Sequence, residues 1–205
     1  VSVQSGSAAL TMSGASFNTL SQSYFLSPGG PGLLVGPGTT DNTFSRDVIV
    51  AAGRGLTLDR TFNESVANAT IQGSTAVYIT GSTTTAVTAS VLIASGSDGV
   101  GLAAGDSLSV AVRSNRISGG ALGAAVVVAP NNRGSVSITG NRLSDARYGV
   151  RIATQASGTI VFVSSNSVSP LVTAANDTYG LYIDGPGAVL TLQNNDIHYA
   201  TSGTM

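Results

Sequence analysis

Four segments of this chain share one spaced pattern, apolar-x-apolar-x-x-Asn-x-apolar. They run Val110, Val112, Asn115, Ile117; Val136, Ile138, Asn141, Leu143; Val161, Val163, Asn166, Val168; and Leu190, Leu192, Asn195, Ile197. Their asparagines step by 26, 25 and 29 residues. Alternating apolar residues over so few positions make a short strand with one buried face. The asparagine interrupts the alternation, and the next apolar residue resumes it beyond a bend. Asn tolerates the left-handed backbone of such a bend. A unit this small cannot bury its apolar face alone, so its copies must stack. Coils stacked about 4.8 Å apart bring successive asparagine side chains within hydrogen-bonding range. The expectation is a ladder of Asn115, Asn141, Asn166 and Asn195.

A second motif interleaves with the first: Leu122-Gly123-Ala124-Ala125-Val126, Tyr148-Gly149-Val150-Arg151-Ile152 and Tyr179-Gly180-Leu181-Tyr182-Ile183. A period near 26 accommodates three short strands and three turns per coil. It is too short for a four-stranded propeller blade and lacks the leucine-rich signature. Composition agrees: only 9% of residues are charged and 5% aromatic, while 42% are hydrophobic. Ser, Thr, Asn and Gly must then cover the surface, and they are poor residues for long helices. The fold class expected is all-β.

Segments such as Val136-Ser-Ile-Thr-Gly-Asn-Arg-Leu-Ser and Tyr148-Gly-Val-Arg-Ile resemble the right-handed parallel β-helix repeat of the pectate-lyase-like superfamily. That resemblance implies three strands per coil, called PB1, PB2 and PB3. The Tyr-Gly motif is similar to PB1, the residues before each Asn to PB2, and the Asn to the tight turn T2 before PB3. It covers residues 96–199 well. Residues 1–95 are less regular. There Leu10–Phe17 matches the PB2 frame with Ala15 in the Asn position, Leu56–Leu58 reads as PB2, and Ala76–Ile79 as PB1. Residues 80–95 match loosely, and the Pro/Gly stretches 27–32 and 36–38 are expected to be loop. The chain 1–205 is read as a single β-helix segment of six to eight coils. With no polar cap after Ile197, neighbouring coils of a longer parent chain, or another protein, are expected to cover the ends.

The resemblance directs attention to the PB1 groove. Its outward positions, by phase, are Tyr78, Gly101, Ala125, Arg151 and Tyr182, with Asp184 just beyond. Arg151, Tyr182 and Asp184 form the candidate carbohydrate-binding set: an aromatic face for stacking and a guanidinium for hydroxyls or carboxylates. The interval Asn166–Gly180 is longer than its counterparts, which places an extra loop, Pro170–Thr178, beside this groove.

No paired carboxylates occupy matching PB1 positions in consecutive coils, as glycoside hydrolysis requires. Lysine, cysteine and the calcium-binding aspartate clusters of the family's lyases are absent, and His198 is the sole histidine. No catalytic residue, metal or cofactor is therefore expected. A net charge of −1 with no basic cluster gives no nucleic-acid footprint, and no apolar run spans a membrane. Asn63, Asn68 and Asn176 begin glycosylation sequons. These features point to a structural or adhesive, non-enzymatic segment of an extracellular or cell-surface protein, similar to β-helical adhesins and autotransporter passenger domains. The alternative is a carbohydrate-active β-helix enzyme or tailspike-like depolymerase.

Overall fold

The computed structural model describes residues 1–169 and 177–198. Among the described residues the chain winds through three parallel sheets of eight, eight and nine strands, one strand per sheet per coil. Every strand therefore pairs with the one three elements along the chain, as in Tyr148–Ala153 with Tyr179–Asp184. This is a three-sheet parallel β-helix with a period of about 24 residues, somewhat below the 26 expected, because the coils before residue 96 are shorter. The sheets continue without a break from Ser2–Gln4 to Asp196–Ile197, so the less regular first half and the regular second half form one stack.

Apolar side chains stack in columns inside the coils. The PB3 column runs Phe25, Ile49, Ile71, Leu92, Ile117, Leu143 and Val168, all at most 3% exposed. Each such burial is worth about 1.5–3 kcal/mol, and the column is what fixes the register from coil to coil.

The asparagine ladder is present. Each Oδ1 accepts the backbone N–H of the equivalent residue one coil earlier: Asn115 from Ser90 at 2.8 Å, Asn141 from Asn115 at 2.9 Å, Asn166 from Asn141 at 2.9 Å and Asn195 from Asn166 at 3.1 Å. The left-handed residue of the turn, however, is the one before each Asn. Ser114, Gly140, Ser165 and Asn194 have φ of 57°, 66°, 55° and 53°. The asparagines are selected for their amide groups, and the bend is made next door.

The same turn recurs in the first half with other residues in the ladder position: Ser23, Asp47, Ala69 and Ser90. Ser90 Oγ accepts from Ala69 N–H at 3.1 Å, and Asp47 Oδ1 from Ser23 N–H at 2.9 Å. Three assignments change accordingly. Leu10–Met12 and Leu56–Asp59 lie in the PB1 sheet, not PB2. Ala15 falls in the turn after PB1 and has no place in the ladder. Residues 83–94 form regular PB2 and PB3 strands, with Ser90 between them.

A second ladder climbs the turn between PB1 and PB2. Thr61 N–H donates to Ser82 Oγ, Ser82 N–H to Ser107 Oγ, Ser107 N–H to Asn132 Oδ1 and Asn132 N–H to Gln155 Oε1, at 3.1–3.3 Å. All five side chains are buried.

Asp47 is the weak rung. Its Oδ2 is buried and makes no hydrogen bond among the described residues. In the regular rungs that atom is an amide nitrogen, and Asn115 Nδ2 donates to Val87 O at 2.9 Å. Burial pushes the Asp47 carboxyl above its ordinary 3.8, against the lowering effect of the Ser23 and Ser45 backbone. Between the ordinary and the raised value the folded chain holds a proton that the unfolded chain releases. Its stabilising contribution is full below about pH 3.8 and is lost as pH rises through the raised folded value. Asp47→Asn restores the missing donor. It is expected to raise unfolding free energy at neutral pH by about 1–3 kcal/mol and to flatten its decline above pH 4, as urea melts across pH will show. A variant no more stable than the parent at pH 7 would refute this account.

Candidate functional site

Pairing between PB1 strands sets which side chains share the outer face. One row runs Thr57, Tyr78, Ala103, Val127, Arg151, Tyr182. Tyr78, Arg151 and Tyr182 stand where the sequence places them. Gly101 and Ala125 do not: both are buried, in the column that continues as Gly149 and Gly180. The cause is a local break in alternation. In the strands Thr75–Thr80 and Tyr148–Ala153, residues two and three, such as Gly149 and Val150, are both buried, and outward pointing resumes at the fourth. The same break moves the motif phase. Ala125, not Gly123, is the counterpart of Gly149.

The column of small residues has a steric origin. A Cβ on Gly101 would meet Ile117 Cγ2 at 2.3 Å; on Gly149, Val168 Cγ1 at 2.2 Å; on Gly180, Ile197 Cγ2 at 2.4 Å. Gly32 and Gly55 stand in the same relation to Ile49 and Ile71. Where PB3 carries an unbranched Cβ, at Phe25, Leu92 and Leu143, the PB1 residue is alanine: Ala9, Ala76 and Ala125.

On the outer face of the last two PB1 strands, three tyrosines gather. Tyr148 stacks on Tyr179, with centroids 5.6 Å apart and planes 9° from parallel. Tyr182 leans on both at 5.1 Å. Arg151 Nη2 donates to Asp184 Oδ2 at 2.5 Å, and its guanidinium lies 5.7 Å from the Tyr148 ring. Arg147 stands 5.1 Å from the same ring and donates from Nε to the Asp177 carbonyl at 3.1 Å. Burial and the nearby Asp177 charge push the Tyr179 phenol upward, against Arg147, while the Asp184 hydrogen bond raises Arg151 further.

The structure thus unites Arg151, Tyr182 and Asp184 and adds Tyr148, Tyr179 and Arg147. Tyr148 and Tyr179 were legible as the leading residues of two motif copies in register. Tyr78 lies three rungs away beneath the Arg54 guanidinium, 3.6 Å from its ring centroid. His198 pairs with Asp196 at 2.7 Å on the exposed last strand. Asn63 and Asn68 are exposed, and Asn63 Nδ2 donates to Asp41 at 2.6 Å. Asn176 and most of the Pro170–Thr178 loop lie outside the described residues. Among the described residues no three His, Cys, Asp or Glu side chains gather to hold a metal ion.

Fold and face together define a parallel β-helix carrying an aromatic, ion-paired patch on its PB1 sheet. The chain belongs to the right-handed β-helix family, whose model matches residues 7–168. Among curated proteins no match is found. Among solved structures it is similar to DFA-IIIase from Arthrobacter chlorophenolicus A6 in complex with GF2, at 18% identity and a TM-score of 0.68, covering 97% of this chain and 56% of that one. The same enzyme in complex with DFA-III gives 16%, 0.61, 93% and 52%. The tailspike protein gp49 from Pseudomonas phage LKA1 gives 9%, 0.46, 95% and 49%. The chain therefore spans little more than half the length of the first two, and at these identities the likeness is one of fold.

Proposed function

We propose that this chain is a carbohydrate-binding segment of a secreted or cell-surface β-helix protein, and that the saccharide lies across Tyr148, Tyr179 and Tyr182 beside the Arg151–Asp184 pair. The observation that carries this reading is the three-tyrosine cluster on an outer sheet face whose two preceding PB1 strands present small residues such as Ala103, Gly105 and Ala124. Clustered aromatic rings offer a platform on which the apolar face of a sugar can stack, and flanking donors and acceptors orient it. The DFA-IIIase complexes with GF2 and DFA-III make both compounds natural first ligands. The exposed sequons at Asn63 and Asn68 suit an extracellular setting.

Binding is common to the adhesive and the enzymatic readings, and one experiment separates them. The chain has no tryptophan and six tyrosines, three of them in the cluster, so tyrosine fluorescence reports on the face directly. Titration with GF2, DFA-III and a panel of oligosaccharides is expected to change this emission saturably. Tyr182→Ala should weaken binding about tenfold, or ~1.4 kcal/mol, with an unchanged melting temperature as the control for folding. Shortening of a bound polymer marks an enzyme, and retention without shortening an adhesin. No saturable response to any saccharide, or a Tyr182→Ala variant that binds as the parent does, overturns the reading.

A further inference from the structure

Resting on the carbohydrate reading, we infer that Asp184 makes this face selective for neutral over acidic saccharides. Arg151 is the group a uronate would seek, since a guanidinium fork matches a carboxylate in two parallel hydrogen bonds. One donor of that fork, Nη2, is already bound to a carboxylate of the chain itself. Asp184 Oδ2 sits 2.5 Å from Arg151 Nη2, reached diagonally across the strand pair, because Arg151 is in register with Tyr182 and Ala153 with Asp184. The side chains of Arg151 and Asp184 are 42% and 40% exposed, so the pair is presented to a ligand and not hidden beneath the face.

The charges around the tyrosines balance. Arg147 and Arg151 lie on one side of the account, Asp177 and Asp184 on the other, and Asp177 lies close enough to Tyr179 to act on its phenol. An acidic sugar gains no net attraction here. To reach Arg151 it must displace Asp184 or lie against it, and like charges at contact are repulsive. A neutral sugar meets the opposite situation. The ion pair offers donors and acceptors side by side, which two neighbouring hydroxyls can satisfy, each donating to Asp184 and accepting from Arg151. Asp184 is thus a specificity-determining residue: it accepts from hydroxyls and excludes carboxylates.

The test uses the whole chain and matched probes differing at C6: cellotetraose against tetraglucuronate, and galactotetraose against tetragalacturonate, with GF2 as a further neutral probe. Affinities come from tyrosine fluorescence at low salt and at about 0.5 M salt, where the screening length is a few ångströms. The parent is expected to bind at least one neutral probe, with little salt dependence, and to bind its acidic counterpart at least about tenfold more weakly. Asp184→Asn should gain about tenfold or more for the acidic probe, and that gain should vanish at high salt. Asp184→Glu, which restores the charge, should restore the neutral preference, and melting of both variants verifies the fold. A parent that prefers the uronate, or an Asp184→Asn variant with an unchanged neutral-to-acidic ratio, overturns the inference while leaving the carbohydrate reading intact. Failure of every probe with every protein overturns both.

Discussion

Replacing Asn141 with alanine is expected to lower unfolding free energy by about 3 kcal/mol or more, since three buried hydrogen bonds are lost, each at a cost of about 1–3 kcal/mol. Asn141 is 2% exposed. Its Oδ1 accepts from Asn115 N–H at 2.9 Å and from Asn115 Nδ2 at 3.1 Å, and its Nδ2 donates to Val112 O at 2.9 Å. Alanine removes all three of these bonds: the Asn115 N–H loses its acceptor, the Asn115 amide keeps only its bond to Val87 O at 2.9 Å, and the Val112 carbonyl loses the Nδ2 donor. A chain of this size loses about 2–4 °C in melting temperature per kcal/mol, so the drop should be about 10 °C. Asn141→Ser should cost less, because the serine at position 90 accepts the preceding backbone N–H at 3.1 Å. Urea titration followed by circular dichroism gives the order parent, Ser variant, Ala variant. An Ala variant within about 1 kcal/mol of the parent, the net value of an ordinary hydrogen bond, would show that the ladder contributes no more than average bonds do.

That same rung explains how far the solenoid was legible in the sequence. Four consecutive asparagines are visible because only an amide supplies both an acceptor for the coil before and a donor to a carbonyl. In the first half the position is filled by Ser23, Asp47, Ala69 and Ser90, some of which accept the preceding N–H and one of which does not, so no single residue type runs through consecutive coils. The second ladder is hidden for the same reason, with Thr61, Ser82, Ser107, Asn132 and Gln155 sharing only polarity and burial. The face around Arg151 was half legible. Arg151 and Tyr182 are found by alternation, because both stand after the point where it resumes. Tyr148 and Tyr179 stand before it, and alternation counted back through the buried pair Gly149–Val150 gives them the wrong side. The ion pair with Asp184 was invisible in kind, since it depends on a diagonal reach between strands and not on spacing.

The Gly123 misassignment leads to the sharpest test of the packing, because the small-residue column answers to a side chain on another sheet. Gly101 should not accept even a methyl group while Ile117 is present. A Cβ there would lie 2.3 Å from Ile117 Cγ2, 2.6 Å from Ala125 O and 3.0 Å from Ser118 O. Overpacking of this kind costs about 1–3 kcal/mol or more, and the backbone carbonyl has little room to yield in a ladder bonded on both sides. Gly101→Ala is therefore expected to destabilise by about 3 kcal/mol. Elsewhere in the stack alanine is tolerated where PB3 supplies leucine, at Ala76 with Leu92 and Ala125 with Leu143. Leucine lacks the Cγ2 that fills the space above the glycine. Ile117→Leu should thus cost under about 1.5 kcal/mol alone, and the double variant Gly101→Ala, Ile117→Leu should recover much of the loss. The expected coupling between the two positions, read from a double-mutant cycle of urea melts, is about 1–2 kcal/mol in the favourable direction. Additive effects would mean that the Ala125 carbonyl, not the isoleucine branch, excludes the methyl group, and that the pairing of glycine with branched residues has another cause.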